Sequence, residues 1–485
     1  MSDLPPRGHV HLIAVCGVGM ASLAGLLKSR GYHVTGSDQN VYPPMSGYLA
    51  EIGVDVLSGY HAAHVAPRPD LVIIGNAISR GNPEAEAVLS RGIPYISFPQ
   101  ALGEFLIGSG SSLVVAGTHG KTTTTALAAW VLTRAGLEPG FFVGGVPLNF
   151  GSGWSPGSGE HVVIEGDEYD SAFFDKGPKF LHYRPRNVIL TSVEFDHADI
   201  YRDIDHLKSA FRRLMEIIPA EGQLLVCSDY AAAMEVAALA RCPLLTYGGD
   251  EGSDWTVAGV EMRQGRSFFE PCYKGRAEGR VDAAVIGRHN VKNALAVYAM
   301  GRAMGIERQK LLDGFATFAG VKRRQEVRGE RRGVLVIDDF AHHPTAVRET
   351  IQAVKDAYPG RRLWAIFEPR SNTSRRNIYE REFAQALAKA DRVVVAGLYQ
   401  PEKIPEGQRL SVAKVVEEVN RSTRGNRACV IEKAQDIAEY VASNAASGDI
   451  VLVMSNGGFD GVQEKIMKLL ARETATALLE TLEAD

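Results

Sequence analysis

SLVVAGTHGKTTTT, residues 112–125, has the pattern of a buried strand, a turn flanked by glycines and the start of a helix. A helix start presents unpaired backbone N–H groups and the positive end of a dipole, and so suits a phosphate. Lys121 adds a positive charge, and Thr122 adds a hydroxyl of the kind that binds Mg²⁺ beside a nucleotide. The strict phosphate-loop pattern G-x-x-x-x-G-K-[ST] requires glycine where this chain has Val115. We interpret the shorter G-x-x-G-K-T-T as an ATP site, against the alternative of an ordinary Gly/Thr-rich loop.

The bulk composition is that of an ordinary globular protein. The 485 residues are too many for one core and predict about three domains. A net charge of −4 leaves no basic surface for nucleic acid and no polybasic patch for a membrane. The five cysteines are scattered and lack C-x-x-C spacing, which favours a reducing compartment over a disulfide framework or a zinc site. Because no apolar run is long enough to span a membrane, and Val10–Leu27 fits a strand and turn better than a signal peptide, we expect a cytoplasmic protein.

The N-terminal stretch predicts a nucleotide-binding αβ unit. His9–Cys16 is a mostly apolar strand, and Gly17-Val18-Gly19-Met20 leads from it into a helical pattern. Two glycines let a backbone turn tightly and approach a diphosphate at a helix start. The next strand ends at Ser37-Asp38, about where a ribose-binding acid lies in a dinucleotide fold. These residues alone leave NAD, another nucleotide and no ligand as open alternatives.

Two later strands end in polar clusters that should face the Lys121 loop, because ligands collect at the carboxyl ends of parallel strands. The first cluster begins with Glu165 and the second contains His197. A carboxylate beside a triphosphate is repelled unless a cation lies between them, so we predict Glu165 and His197 as Mg²⁺ ligands. Mg²⁺ prefers oxygen, so His197 suggests a second cation site. A solvated acid and a packed imidazole are the alternatives.

The last third of the chain resumes the alternation of strands and helices from Val334 onward. Its strands are followed by the loops DDFAHHP (338–344), EPRSNT (368–373) and SNGGF (455–459). Arg370 could bind a carboxylate through its forked guanidinium, or be an exposed loop arginine. We therefore predict an α/β protein with a Rossmann-like domain over residues 1–108, a phosphate-loop domain over 109–325 and a second Rossmann-like domain over 326–485.

The motifs taken together resemble the Mur ligases of peptidoglycan assembly. Seven occur in order along nearly the whole chain: GVGMASL (17–23), GTHGKTTTT (117–125), EGDEYD (165–170), EFDHADIY (194–201), GRHNVKNALA (287–296), VKRRQE (321–326) and DDFAHHPT (338–345). GSDQNVYPPMS (36–46), AFFDKGPKF (172–180), EPRSNT and VMSNGGFDG (453–461) are similar to the branch that acts on recycled cell-wall peptide. The resemblance implies UDP-sugar binding by the first domain, ATP binding by the second and peptide or amine binding by the third.

The resemblance also implies a role for each matching residue. The UDP-sugar would contact Gly17, Val18, Gly19, Met20, Ser37 and Asp38. ATP would contact Gly117, Thr118, His119, Gly120, Lys121, Thr122, Thr123, His289, Asn290, Asn293, Arg324 and one or both of Asp338 and Asp339. The peptide would contact Arg370, Ser371, Asn372, Ser455 and Asn456. Two Mg²⁺ ions, or Mn²⁺ as a substitute, would be placed by Thr122, Glu165 and His197, and catalysis would involve Lys121, Glu165, His197, Arg324 and His343.

The activity that the resemblance implies is ATP-dependent ligation of UDP-N-acetylmuramate to the tripeptide L-Ala-γ-D-Glu-meso-diaminopimelate, through an acyl phosphate. Ligation of UDP-N-acetylmuramate to L-alanine is the runner-up, and a phosphate-loop nucleotide switch is the alternative from another class. We expect a monomer or weak homodimer that binds neither nucleic acid nor membrane. Several members carry a carbamylated lysine after the Asp-His motif; our alignment puts Phe211 there, so we expect no carbamate.

Overall fold

The computed structural model describes residues 7–43, 45–196, 200–249, 251–263 and 265–471. The N-terminal sheet has strands β1 (His9–Ile13), β2 (His33–Asp38), β3 (Asp55–Ser58), β4 (Leu71–Ile74) and β5 (Tyr95–Ser97). Its helices are α1 (Val18–Ser29), α2 (Met45–Glu51), α3 (Pro83–Ser90) and α4 (Phe98–Leu102), followed by a π-helical turn at Gly103–Ile107. All pairs are parallel in the order β3-β2-β1-β4-β5. The strands after β1 are therefore added first on one side of it and then on the other, and the β1–α1 turn lies at this switch point, where open sheets bind ligands.

The central sheet is built around β6, which is buried along its whole length. Its strands are β6 (Ser111–Ala116), β7 (Gly140–Phe142), β8 (Trp154–Ser155), β9 (His161–Gly166), β12 (Pro185–Leu190), β13 (Gln223–Cys227), β14 (Leu244–Tyr247), β15 (Trp255–Arg263), β16 (Arg266–Tyr273), β17 (Arg276–Ala277) and β18 (Val281–Ala283), with β10 (Asp170–Ala172) and β11 (Asp175–Pro178) forming a separate hairpin. The helices are α5 (Lys121–Arg134), α6 (Ile204–Ile217), α7 (Ala231–Ala237), α8 (Arg288–Ala303) and α9 (Arg308–Thr317). Parallel pairing of β6 with β9 and β12 brings the carboxyl ends of these strands around the turn into α5.

The C-terminal sheet has the order β19-β20-β24-β21-β22-β23 and is parallel except for the β19–β20 pair. Its strands are β19 (Glu326–Arg331), β20 (Val334–Asp339), β21 (Leu363–Phe367), β22 (Arg392–Val395), β23 (Ala428–Val430) and β24 (Ile450–Met454). The helices are α10 (Pro344–Ala357), α11 (Glu380–Leu387), α12 (Val412–Thr423), α13 (Ala434–Asn444) and α14 (462–471). β20, β21 and β24 are adjacent, so the DDFAHHP, EPRSNT and SNGGF loops leave the same edge of this sheet.

Side-chain contacts join the three sheets. Trp154 of β8 donates to the Tyr48 hydroxyl at 3.2 Å, which connects the central and N-terminal sheets. On the other side, the Thr373 hydroxyl donates to Asp196 at 2.8 Å, which connects the C-terminal and central sheets. None of the helices in the described ranges is both long and apolar enough to cross a membrane. The predicted α/β class, with three units based on parallel sheets, is confirmed.

Candidate active site

The turn between β6 and α5 has the geometry of a phosphate loop. Gly117 has φ +131°, and a Cβ there would collide with the segment after β12, so the turn requires glycine. Lys121 is 8% exposed, and its Nζ donates to the Gly117 carbonyl at 2.6 Å and to Glu168 Oε2 at 2.9 Å. Burial opposes the lysine charge, but the carboxylate of Glu168, followed by those of Asp167 and Glu165, raises the Lys121 pKa. The lysine therefore lies charged at the phosphate loop.

Oxygen atoms gather beside this lysine. The Thr122 hydroxyl donates to Glu165 Oε1 at 2.8 Å, and the Gly144 amide donates to Oε2 at 2.7 Å. Burial, with the nearby Asp167, raises the Glu165 pKa, so the carboxylate lies where a cation would stabilise its charge. A hydroxyl and a carboxylate are the donors that Mg²⁺ prefers, and these residues fit that ion. The other predicted ligand, His197, lies outside the described residues.

Arg324 reaches the same place from the loop before β19. Its Nη2 donates to the Thr122 hydroxyl at 2.9 Å, and its guanidinium carbon lies 4.5 Å from the centre of the Phe340 ring. Burial lowers the Arg324 pKa, although the Asp339 carboxylate opposes this shift. Arg324, Lys121, Thr122 and Glu165 line one cavity of about 240 Å³. Two cations, a hydroxyl and a carboxylate thus face the space where a transferred phosphoryl group would lie.

A second cavity, of about 110 Å³, continues from the phosphate loop between α8 and β20. The predicted residues that line it are His119, Gly120, Thr123, His289, Asn290, Asn293, Arg324 and Asp339. Asn290 donates to Gln325 Oε1 at 2.9 Å, and Asp339 accepts from the Gln325 amide at 2.8 Å, which holds this wall together. Asp338 lies on the other face of β20, where Gln463 donates to it at 2.9 Å. Of the two adjacent aspartates, the structure brings Asp339 to the nucleotide cavity.

Two histidines and a glutamate meet between the phosphate loop and α10. His119 Nε2 lies 3.0 Å from Glu194 Oε2, and a ring nitrogen of His343 lies within 4.8 Å of a polar side-chain atom of each of these two residues. The Thr345 amide donates to His343 Nδ1 at 3.3 Å, so the neutral His343 ring carries its proton on Nε2. Burial, together with the neighbouring His119, lowers the His343 pKa to about 4. His343 is therefore a neutral hydrogen-bond donor near pH 7, and this tautomer does not suit Nε2 as a metal ligand.

The turn from β1 into α1 lines a cavity of about 400 Å³. Gly17, Gly19, Met20 and Asp38 are among its lining residues, and Gly17 is the N-cap of α1. Asp38 accepts from the backbone amides of Cys16 and Asn40, each at 2.9 Å, and so shapes the loops on either side. The predicted contacts Ser37 and Val18 are placed differently. Ser37 is fully buried and donates to Glu84, whereas Val18 lines the next cavity.

That next cavity, of about 320 Å³, lies between the N-terminal and central sheets. It shares Gly19, Phe98 and Lys179 with the cavity at α1. It also shares Gly144, Glu165 and Asp167 with the cavity at Lys121. A series of adjoining cavities with shared walls therefore lies from the helix start of α1, past Lys179, to the phosphate loop.

The loops after β21 and β24 bring some of the predicted peptide residues together. The Arg370 guanidinium lies 3.7 Å from the Tyr399 ring centre, and Glu368 lies between Arg370 (3.5 Å) and the Ser455 hydroxyl (2.5 Å). Asn456 follows Ser455, and its Oδ1 is buried and has no hydrogen-bond partner in the described part of the chain. Ser371 and Asn372 instead bond within their own loop, to Ser374 and Arg375. Arg370, Glu368 and Ser455 therefore form one polar cluster, and Asn456 follows it in the chain.

Three residues at the site received no role from the sequence. Glu168 binds Lys121, Gln325 holds the nucleotide wall, and Lys179 lines two cavities at once. Glu168 and Gln325 lie inside the EGDEYD and VKRRQE motifs, so position in a motif was the available signal. Lys179 lies inside the AFFDKGPKF stretch (172–180), so the same signal was available for it. On α6, Phe211 is fully buried and Lys208 pairs with Asp205 and Glu235.

Comparison with known proteins identifies the family. The Mur ligase family catalytic domain matches residues 9–109, the Mur ligase middle domain matches 115–301, and the domain described as "Mur ligase, glutamate ligase domain" matches 323–457. The Escherichia coli K12 UDP-N-acetylmuramate–L-alanyl-γ-D-glutamyl-meso-2,6-diaminoheptandioate ligase is 40% identical over 97% of this chain and 100% of its own length. The Carboxydothermus hydrogenoformans UDP-N-acetylmuramate–L-alanine ligase is 33% identical over 94% and 96%.

A solved structure agrees with these sequence matches. The murein peptide ligase of Psychrobacter arcticus is 36% identical, with a TM-score of 0.70, and the alignment covers 96% of this chain and 99% of that one. The relatives thus match the chain from end to end, and all three of its sheets are included in the matches. The chain belongs to the Mur ligase family.

Proposed function

We propose that the protein is an ATP-dependent ligase that joins UDP-N-acetylmuramate to L-Ala-γ-D-Glu-meso-diaminopimelate. The observation that carries this proposal is the series of adjoining cavities from the α1 turn to Lys121 and Arg324. It lets a sugar nucleotide bound at α1 extend its acid group to the phosphate loop. The names of the most similar relatives supply the substrates, and identity is 40% to the tripeptide ligase against 33% to the L-alanine ligase.

The three sheets have different tasks in this proposal. Residues 1–108 bind the UDP-sugar, residues 109–325 bind ATP, and residues 326–485 bind the peptide. Arg370 binds a carboxylate of the tripeptide, and Asn456 offers its unpartnered amide oxygen to an N–H group. Thr122 and Glu165 hold Mg²⁺, which offsets negative charge on the transferred phosphoryl group when it is bound. We propose two such ions, with Mn²⁺ as a substitute.

The reaction follows from the placement of the charges. The lactyl carboxylate attacks the γ-phosphorus of ATP, the bond to the β-phosphate oxygen breaks, and an acyl phosphate and ADP form. Lys121 and Arg324 stabilise the charge on the equatorial oxygens. The alanyl amine then attacks the acyl carbon, loses a proton and expels phosphate. A peptide α-amine has a pKa of about 7.7–8.0, so roughly a quarter is already neutral near pH 7.4.

His343 is a hydrogen-bond donor in this scheme and does not act as a base. Its Nδ1 accepts from the Thr345 amide, and its pKa of about 4 keeps the ring neutral with the proton on Nε2. A neutral imidazole with its proton on this side can stabilise an oxyanion but cannot take a proton from the amine at that nitrogen. The amine therefore enters the reaction in its free, neutral form.

An ADP-release assay with UDP-N-acetylmuramate tests the proposal. We expect turnover with the tripeptide and much less with free L-alanine. The reverse preference would identify an L-alanine ligase. Transfer of ¹⁸O from the labelled lactyl carboxylate into phosphate is the expected mark of the acyl phosphate, and ligation without that transfer would refute the route.

The same assay separates a ligase from proteins of other classes. A ligase releases ADP only when both the sugar acid and an amine are present. Hydrolysis of ATP that is indifferent to both would favour a phosphate-loop switch, and nicotinamide turnover would favour an NAD enzyme. We further propose that the protein acts in the cytoplasm, where ATP and UDP-sugars are made, as a monomer or weak homodimer. Sedimentation at several concentrations tests the last point.

A further inference from the structure

The two cavities beside the N-terminal sheet hold fewer cations than the phosphate-loop cavity. The phosphate-loop cavity contains the acids Glu165, Asp167 and Asp196, but Lys121 and Arg324 also line it. Asp38 lines the cavity at α1, and Glu165 and Asp167 line the next one. A sugar nucleotide brings two further negative charges on its diphosphate. These two cavities therefore need a cation before they can hold that group.

Backbone N–H groups at the start of α1 meet only part of this need. Gly17 caps the helix without a side-chain hydrogen bond, and no acidic residue lies in the first turn. No side chain of the cap or the first turn therefore competes with a ligand for the N–H groups at this helix start. A helix start contributes about half a positive charge, whereas a diphosphate carries about two negative charges. Among the described residues that line either cavity, Lys179 is the single lysine or arginine.

Lys179 lies where the two cavities meet. It opens the 3₁₀ turn Lys179–His182 that follows β11, and so belongs to the central unit while lining the cavity at α1. Its Nζ is 2.9 Å from Asp167 Oδ2 and 5.4 Å from the Tyr169 ring centre. The side chain is 18% exposed. An ammonium group has three donors, so Lys179 can keep its contact with Asp167 and still bind a phosphate oxygen.

We propose that Lys179 binds the diphosphate of the UDP-sugar and thereby connects that substrate to the central unit. This inference rests on the proposed function. The start of α1 holds the diphosphate from the N-terminal side, and Lys179 neutralises it from the opposite side. The sugar and its lactyl group then extend through the second cavity toward Glu165. Lys179 is thus a substrate-binding residue that fixes the distance between the UDP group and the phosphate loop.

Calorimetric binding of UDP and of UDP-N-acetylmuramate to the full chain tests the inference. Lys179→Met should weaken both about 10- to 100-fold, because a charge-assisted hydrogen bond is lost. Lys179→Arg should bind both within about fivefold of wild type. The matched control is Lys176→Met, three residues earlier, where the side chain is 67% exposed and pairs with Asp170. That control should bind like wild type. The KM for ATP and the kcat at saturating UDP-sugar should change less than about twofold in Lys176→Met.

The outcomes separate this inference from the proposed function. Equal binding of UDP by wild type and Lys179→Met would overturn this inference alone. Weaker UDP-N-acetylmuramate with unchanged UDP would also overturn it, because the lysine would then contact the lactyl carboxylate. A wild-type protein that binds neither ligand would overturn the proposed function as well. Should Lys179→Met fail to fold by circular dichroism, Lys179→Gln provides the same comparison.

Discussion

Arg324 is the residue whose replacement most directly tests the arrangement of charges. Its Nη2 donates to the Thr122 hydroxyl at 2.9 Å, and its guanidinium lies over the Phe340 ring at 4.5 Å. In Arg324→Lys the positive charge stays, but the planar fork and its packing are lost. Loss of one well-placed donor to a transition state costs about 10²- to 10³-fold in kcat, or roughly 3–4 kcal/mol. We expect a fall of this size in ADP release at saturating substrates.

The neighbouring arginine is the matched control for this experiment. Arg323 Nη2 donates to the Ser455 and Gly457 carbonyls at 2.6 and 2.5 Å, in the loop that carries Asn456. Arg323→Lys should therefore raise the KM for the tripeptide and change kcat by less than about tenfold. Calorimetry should show UDP-N-acetylmuramate binding unchanged in both variants, because neither arginine lines the N-terminal cavities. A kcat within threefold of wild type in Arg324→Lys would refute the assignment of Arg324 to phosphoryl transfer.

Three further predictions concern other parts of the molecule. Glu84 is fully buried and accepts a hydrogen bond from His11 at 2.6 Å; burial opposes the charge of the carboxylate, but this bond lowers its pKa. Glu84→Gln should therefore lower the free energy of unfolding by about 3 kcal/mol above pH 5, and by less under acid conditions, where the wild-type carboxylate gains a proton. Denaturant unfolding measures this difference, with Glu86→Gln as the control. Between pH 6.5 and about 4 the His343 ring is protonated in the unfolded chain but neutral in the folded one, so folding loses stability as the pH falls through this range. The melting temperature of wild type should therefore fall more steeply than that of His343→Gln as the pH is lowered from 6.5 to about 4. Parallel melting curves would contradict this prediction. Arg370→Ala should raise the KM for the tripeptide and leave UDP-N-acetylmuramate binding unchanged; an unaltered peptide KM would remove Arg370 from the site.

The strands, turn and helix that frame the candidate site could be predicted because each signal was local. The strand, glycine turn and helix around Lys121 follow from hydrophobicity and from two backbone positions that only glycine tolerates. Glu165 was found because it ends a buried strand, and parallel pairing with β6 then brings it to Thr122. Adjacency of strand ends is a general property of parallel sheets, so one correctly placed strand predicts the position of its neighbours' loops.

What the sequence could not predict depends on side-chain direction and on contacts between units. Asp338 and Asp339 are adjacent in the chain, and the pleat of β20 alone decides which of them faces the nucleotide cavity. Ser37 precedes Asp38 by one residue and turns, for the same reason, to Glu84. Lys179 lines the cavity at α1 because the central unit packs against the N-terminal one, and the hydrophobic pattern of the sequence does not predict that packing.

The loop after β9 relates the two nucleotide sites to each other. Three of the four residues from 165, near the end of β9, to 168, in the loop that follows, carry carboxylates, and each has a different partner. Glu165 binds the Thr122 hydroxyl, Asp167 binds Lys179, and Glu168 binds Lys121. Lys179 lines the cavity at α1 and Lys121 lies at the phosphate loop, so a single short segment binds both lysines. In the proposed function, this short segment therefore sets the distance between the diphosphate of the UDP-sugar and the triphosphate of ATP.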